Sequence, residues 1–306
     1  MARAKYRTVR AVEPNAGTRN AFQKKLLTVS RAFSRYVAQE IFLHLIDSGV
    51  MAQDASLSNP KTKFERDKLK RFKFRILEFY KTNPVLTQSR IDDYVQQNLP
   101  RWTQELTEAN GKVANWFVRN LTRDVTASQR SALRSAGFSD DFMRARWTVP
   151  IVRGQYISPE AAEKLPKIVE DITSLITQMN VKDVQRLQEV IATGLLQGHD
   201  IREIKATLHS FDGFDQARAK RVALDQSIKV NQAIQRENSK SIGITQGIWK
   251  HVPGQYTSRE THKKMDGKVF DLDKGLYDED VGKYVLPGSE YYCRCIWRPV
   301  IPKDIQ

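Results

Sequence analysis

Residues 215–252 read DQARAKRVALDQSIKVNQAIQRENSKSIGITQGIWKHV, and within this stretch the pattern of the chain changes. Asp215 is placed to cap a long helix running to about Ser241, because an Asp side chain accepts from the free amides of a first turn. Gly243 then ends the helical pattern, and Ile244 to Val252 reads as a strand. Upstream of this switch helices dominate. Leu165, Ile168, Val169, Ile172, Leu175, Ile176 and Met179 recur at helical spacing on one face. A second helix follows with Val184, Leu187, Val190, Ile191 and Leu195, and Gly198 stands where it would stop. Asp200 opens a third, with Glu203 completing an acidic form of the capping box. Downstream, Asp266-Gly267 is a turn signal ahead of Lys268-Val269-Phe270, and Tyr291 to Ile301 reads as a strand ending in proline. Helices first and strands afterwards predict an α+β fold rather than a doubly wound sheet. It comprises a mostly helical N-terminal region, a helical array and a small C-terminal α+β module over about 244–301.

The first half of the chain is also read as helical. From near Ala21, the residues Phe22, Leu26, Val29, Phe33 and Val37 share a face that Ile41, Phe42, Leu45 and Ile46 extend, and such a stripe is expected in a core. Further helical segments are expected from Thr87 to Val125, interrupted at Pro100. Thr148 to Ile151, followed by Gly154 and Pro159, reads as a connection. The expected division is therefore a basic, mainly helical domain over 1–149 and a second domain over 150–306.

Charge separates these halves. The chain carries 50 Lys and Arg against 35 Asp and Glu, a formal +15. Residues 1–150 hold 27 of the cations and 14 of the acids, so almost all of the surplus is there. A surplus of this size favours a polyanionic partner, since each neutralised phosphate releases condensed counterions. The most basic stretch is 61–81, where Lys61, Lys63, Arg66, Lys68, Lys70, Arg71, Lys73 and Arg75 alternate with Phe64, Phe72, Phe74, Phe79 and Tyr80. It is either a contact with double-stranded DNA or a solvated amphipathic helix whose aromatics are ordinary core. No apolar run is long enough to span a bilayer, and no signal-peptide pattern follows the basic first residues, so no membrane partner is expected. Two cysteines make no disulfide framework, and the cytoplasm of a producing cell is the expected compartment.

Chemistry-capable residues gather in the last sixty positions. Cys293 and Cys295 sit two apart on a predicted strand and so share a face. A disulfide between them would close a strained ring, which favours paired thiols or thiolates. With His262 they could hold a structural zinc ion, the fourth donor coming from Asp266, His251 or water. The competing reading is a small packed cluster of buried thiols beside a hydrogen-bonded histidine, and the Cys-x-Cys spacing is shorter than the usual zinc knuckle.

The order of residues here resembles a known family. A long helix carries Arg221, Asp225 and Asn231, followed by Gly243-Ile244 and Trp249. Then come Arg259-x-x-His262, Asp266-Gly267-Lys268-Val269-Phe270, Pro287-Gly288 and Cys293-Arg294-Cys295. With Gly194 to Gly198 and Ile201 to Ile204 ahead of it, this set resembles the Mu F-like minor head, or head morphogenesis, family of tailed bacteriophages over roughly residues 165–300. The resemblance implies a virion protein inside the capsid near the portal, working with the portal protein and with the major capsid protein or scaffold. It implies roles in head assembly and genome ejection and no established catalysis. Two other functions stand beside it. One is a metal- or His-dependent nuclease using Arg259, His262 and Asp266, although no acidic cluster of the two-metal kind is present. The other is a cellular nucleic-acid-binding protein, for which no recognition signature is found. The acidic segment between Phe270 and Pro287 carries no functional reading.

Overall fold

The computed structural model describes residues 6–47, 84–197, 199, 201–210, 212–253 and 258–303. The basic segment with Lys61, Lys63, Arg66, Lys68, Lys70, Arg71, Lys73 and Arg75 lies outside the described residues.

Helices α1 (Ala16–Asp47), α2 (Pro84–Ser135) and the short α3 (Asp140–Arg144) come first, then a hairpin of β1 (Val149–Val152) and β2 (Gln155–Ile157). Helices α4 (Pro159–Leu196), α5 (Ile201–Ser210) and α6 (Asp212–Ser241) follow. The last part holds β3 (Gln246–Lys250), α7 (Glu260–Met265), β4 (Val269–Asp271), β5 (Leu276–Asp278), β6 (Lys283–Val285) and β7 (Ile296–Val300). The fold is α+β, and among the described residues every strand pairing is antiparallel.

Two differences from the sequence reading concern helix continuity. Helix α2 runs through Pro100 instead of breaking there. A proline inside a helix costs about 3 kcal/mol through its missing amide and ring clash. Burial of Val95, Trp102 and Leu106 on either side of it offsets that cost. Likewise the apolar faces before Met179 and after Val184 lie on the single helix α4, because Asn180 to Asp183 contains no residue that stops a helix. Its start is well marked: Pro159 takes the first position, and the Ser158 hydroxyl accepts from the Ala161 amide at 3.1 Å.

The chain forms two compact units, residues 26–111 with 173–217, and residues 1–25 with 112–172 and 218–306. Each takes segments from both sides of residue 150, and the residues of α1, α2, α4 and α6 are divided between them. The unit built on 26–111 is helical. Phe33, Val37, Ile41 and Leu45 of α1 pack with Ile91, Val95, Trp102 and Leu106 of α2 and with Val184, Leu187, Ile191 and Leu195 of α4. The α1 stripe is therefore core, as its spacing predicts.

In the other unit, β4, β3 and β7 form a three-stranded sheet in that order. Residues 7–9 add to its β7 edge, with the Val9 amide donating to Pro299 O at 3.0 Å and the Ile301 amide to Arg7 O at 2.9 Å. Trp249, Phe270, Trp297, Met265 and both cysteines fill the core of this unit together with Leu133, Met143 and Trp147. Gly247 opposes this packing with no side chain of its own. A Cβ there would lie 2.7 Å from the Trp297 ring and 3.1 Å from Phe270, so the glycine makes room for both aromatics.

Along α6 buried apolar residues such as Val222, Ile228 and Ile234 are interleaved with many buried polar ones. Asn231 and Gln235 both donate to Val12 O, at 3.1 and 2.8 Å. Asn238 accepts from the Ser158 amide at 3.0 Å and donates to Gln129 Oε1 at 3.1 Å. Gln129 in turn donates to Gln235 O and Ser239 Oγ, both at 3.0 Å. Buried amides are tolerated when paired in this way.

Candidate metal centre

The cluster forms where three elements of the sheet-bearing unit meet. Cys293 and Cys295 lead into β7, and their alternation turns both sulfurs to the same side. His262 is carried by α7, a helix of six residues with Thr261, His262 and Met265 buried. The His262 Nδ1 lies 3.4 Å from Cys293 Sγ and 3.7 Å from Cys295 Sγ. His262, Cys293 and Cys295 are 2%, 5% and 2% exposed, so the three donors meet inside the core. They are the three residues that the sequence singles out as metal ligands.

A fourth residue, which sequence reasoning missed, completes the arrangement. Asp278 is fully buried, and its Oδ2 lies 3.0 Å from His262 Nε2. Its other oxygen accepts the Asp280 amide at 3.0 Å. A carboxylate on the far nitrogen fixes the ring orientation and leaves Nδ1 as the lone-pair donor facing the sulfurs. No local signal distinguishes Asp278 from Asp271, Asp273 or Asp280 in the acidic segment. Its burial comes from pairing of β5 with β6 and from contact with α7.

The electrostatics follow from this crowding. Cys293 is pulled down to about 4, first by the hydrogen bond from Cys295 and then by the His262 ring, against the effect of burial. Cys295 is pushed far up by Cys293 and by burial. Burial works against charging His262, yet the Cys293 sulfur and the Asp278 carboxylate outweigh it and raise its pKa. For Asp278, burial is outweighed by Thr261, the Asp280 amide and His262, and the carboxyl is lowered. The two sulfurs thus compete for one proton, and a bound cation would remove that competition by stabilising both thiolates.

The donors also suit a metal by geometry. Zinc bonds of about 2.3 Å to sulfur and 2.0–2.1 Å to nitrogen, at tetrahedral angles, require sulfur–nitrogen separations of about 3.6 Å. The two His262 separations lie within 0.2 Å of that value. The same thiol–imidazole–carboxylate line could activate a nucleophile, but the sulfur and the ring are enclosed.

Other residues considered for chemistry are elsewhere engaged. The Arg259 guanidinium donates to Tyr291 O at 3.1 Å, and exposed Asp266 accepts the His251 backbone amide at 2.7 Å. Just before Cys293, Tyr292 has φ of 56° and its amide donates at 2.8 Å to Asp225 Oδ1. Asp225 therefore positions a backbone turn that sets up the first sulfur. A separate cleft of about 830 Å³ is lined by Arg130, Arg134, Arg144, Asp140, Trp147 and Tyr156. Its cations are paired within the unit, Arg130 and Arg134 with Asp140 and Arg144 over the Tyr156 ring.

Comparison with known proteins shows what this region is similar to. Residues 185–298 match the family described as phage Mu protein F like protein. The matched span contains His262, Asp278 and both cysteines. Among curated proteins, an uncharacterized protein of Haemophilus influenzae is 25% identical over 149 residues, which is 49% of this chain and 32% of the relative. The uncharacterized protein YqbB of Bacillus subtilis is 27% identical over 120 residues, 39% of this chain and 36% of that protein. The chain thus spans about a third of the length of these relatives. No solved structure matches it.

Proposed function

We propose that this protein is a minor head component of a tailed bacteriophage, located inside the capsid near the portal after assembly in the host cytoplasm. In this reading it contacts the portal protein and the major capsid protein or scaffold. It acts in head assembly and in the handling or ejection of packaged double-stranded DNA. The observation that carries the reading is the match of residues 185–298 to the Mu F-like family. The +15 formal charge supports a DNA partner, with the segment Lys61 to Arg75 as the proposed contact. Among the described residues no helix is long and apolar enough to cross a membrane.

In this role His262, Cys293 and Cys295 hold a structural zinc ion that staples the short strands and loops around the core of this module. A structural rather than catalytic role is supported by the 2% exposure of His262. A nuclease working through Arg259, His262 and Asp266 would need all three to face one phosphate. Here the two nitrogens of His262 already face sulfur and carboxylate, and Arg259 and Asp266 bond to backbone.

Mass spectrometry of purified phage particles tests the assignment. The protein is expected in particles at low copy relative to the major capsid protein, and its absence from intact virions would reject the proposal.

A further inference from the structure

Across the sheet from Cys295 stands a second imidazole. Strands β3 and β7 pair with Trp249 opposite Trp297 and Lys250 opposite Ile296. Continuing that register by one residue puts His251 opposite Cys295, and directly opposed side chains lie on the same face. The contact is made: His251 Nδ1 is 3.6 Å from Cys295 Sγ. That matches the separation of about 3.6 Å demanded by a shared tetrahedral zinc ion. The other ring nitrogen of His251 is buried and has no hydrogen-bond partner among the described residues.

We propose that His251 is the fourth protein ligand of the cluster, giving a closed Cys2His2 site made by Cys293 Sγ, Cys295 Sγ, His262 Nδ1 and His251 Nδ1. The proposal rests on the reading that the cluster binds zinc. His262, Cys293 and Cys295 have donor atoms within 4.8 Å of one another; His251 reaches Cys295 at 3.6 Å but does not lie within 4.8 Å of all three, so its ring must swing inward to close the site. The two carboxylates near the cluster are assigned elsewhere. Asp266 holds the His251 backbone amide, and Asp278 sits on the far nitrogen of His262. Two thiolates with two imidazoles form a donor set that suits zinc and disfavours the hard cations magnesium and calcium. Four protein ligands leave no open position for water or substrate, which makes the site structural. Asp278 is then a positioning residue acting through His262.

The full-length protein is purified, its metal content is measured, and zinc affinity is read by competition with a chromophoric chelator. Cobalt(II) substitution reports coordination through its visible bands. The expected result is one zinc per chain. His251→Ala should weaken zinc by more than about 100-fold, beyond the 10–100-fold range of outer-shell partners in which Asp278→Asn should fall. His251→Cys should retain the metal and add sulfur-to-cobalt charge-transfer intensity, a gain that misfolding cannot mimic. If the wild-type protein binds no zinc, the underlying metal reading fails. If it binds zinc but His251→Ala leaves affinity and His251→Cys leaves the cobalt spectrum unchanged, the metal reading stands and the assignment of His251 is overturned.

Discussion

Glu237 on α6 has a side chain only 4% exposed, with Lys164 Nζ at 2.5 Å, Arg236 Nε at 3.1 Å and Lys240 Nζ at 3.4 Å. Burial pushes its carboxyl up, and Lys164 and Arg236 more than reverse the effect, so its folded pKa lies below the ordinary glutamate value. A depressed carboxylate contributes stability that is fully present above the unfolded pKa and is lost as pH falls through the folded one. Glu237→Gln should cost about 1–3 kcal/mol at neutral pH. The loss should start to shrink as pH falls below the ordinary glutamate value of about 4.3 and vanish only below the lowered folded pKa. Urea unfolding of both proteins across that range tests this, and parallel stability curves would count against it. At this scale the sequence was legible wherever chemistry and spacing coincide. Cys293 and Cys295 declare a shared face by alternation, and His262 follows because few side chains pair with them. Asp278 and Glu237 were not legible, because a buried acid and a solvated one look alike until distant segments cover one of them.

At the level of elements, α6 shows how a helix with little apolar character comes to be central. Its inward face uses Asn231, Gln235 and Asn238 to bind backbone and side-chain groups of Val12, Gln129 and Ser158. Asn238→Ala would strand the buried Ser158 amide at the start of α4 and one oxygen of Gln129. Each such group costs about 1–3 kcal/mol when left unpaired. Thermal unfolding should show a clearly lower Tm for Asn238→Ala than for an alanine at exposed Lys220, and equal values would contradict the network. Helix and strand identity was largely legible from periodicity: the α1 stripe, the Gly243 stop, a strand within Ile244 to Val252 and one after Asp266-Gly267 form, whereas the helix Glu260–Met265 before that turn was not foreseen. Continuity was not. Pro100 carries a local penalty that tertiary burial of Trp102 and Leu106 overrides, and the hairpin of β1 and β2 lies where Thr148 to Ile151 reads as a plain connection.

Over the whole molecule, composition marks a change near residue 150, whereas the compact units interleave segments from both sides of it. Charge statistics report what a surface meets, and packing reports which segments find each other, so the two divisions need not coincide. The charge does support a prediction. Binding to double-stranded DNA should weaken steeply with salt, and combined alanine substitution of Lys68, Lys70, Arg71 and Lys73 should reduce the salt slope by up to roughly three to four. Titrations at several salt concentrations measure it, and an unaltered slope would remove this segment from the DNA contact. The pairing of residues 7–9 with the β7 edge carries a consequence for synthesis. Val9 bonds to Pro299 and Arg7 to Ile301, partners separated by nearly the full span of the chain. At ribosomal speeds of about 5–20 residues per second, that early segment waits roughly 15 to 60 seconds for its partner to be made. The helical unit can consolidate during translation, while the sheet-bearing unit closes only once Pro299 and Ile301 have emerged from the exit tunnel.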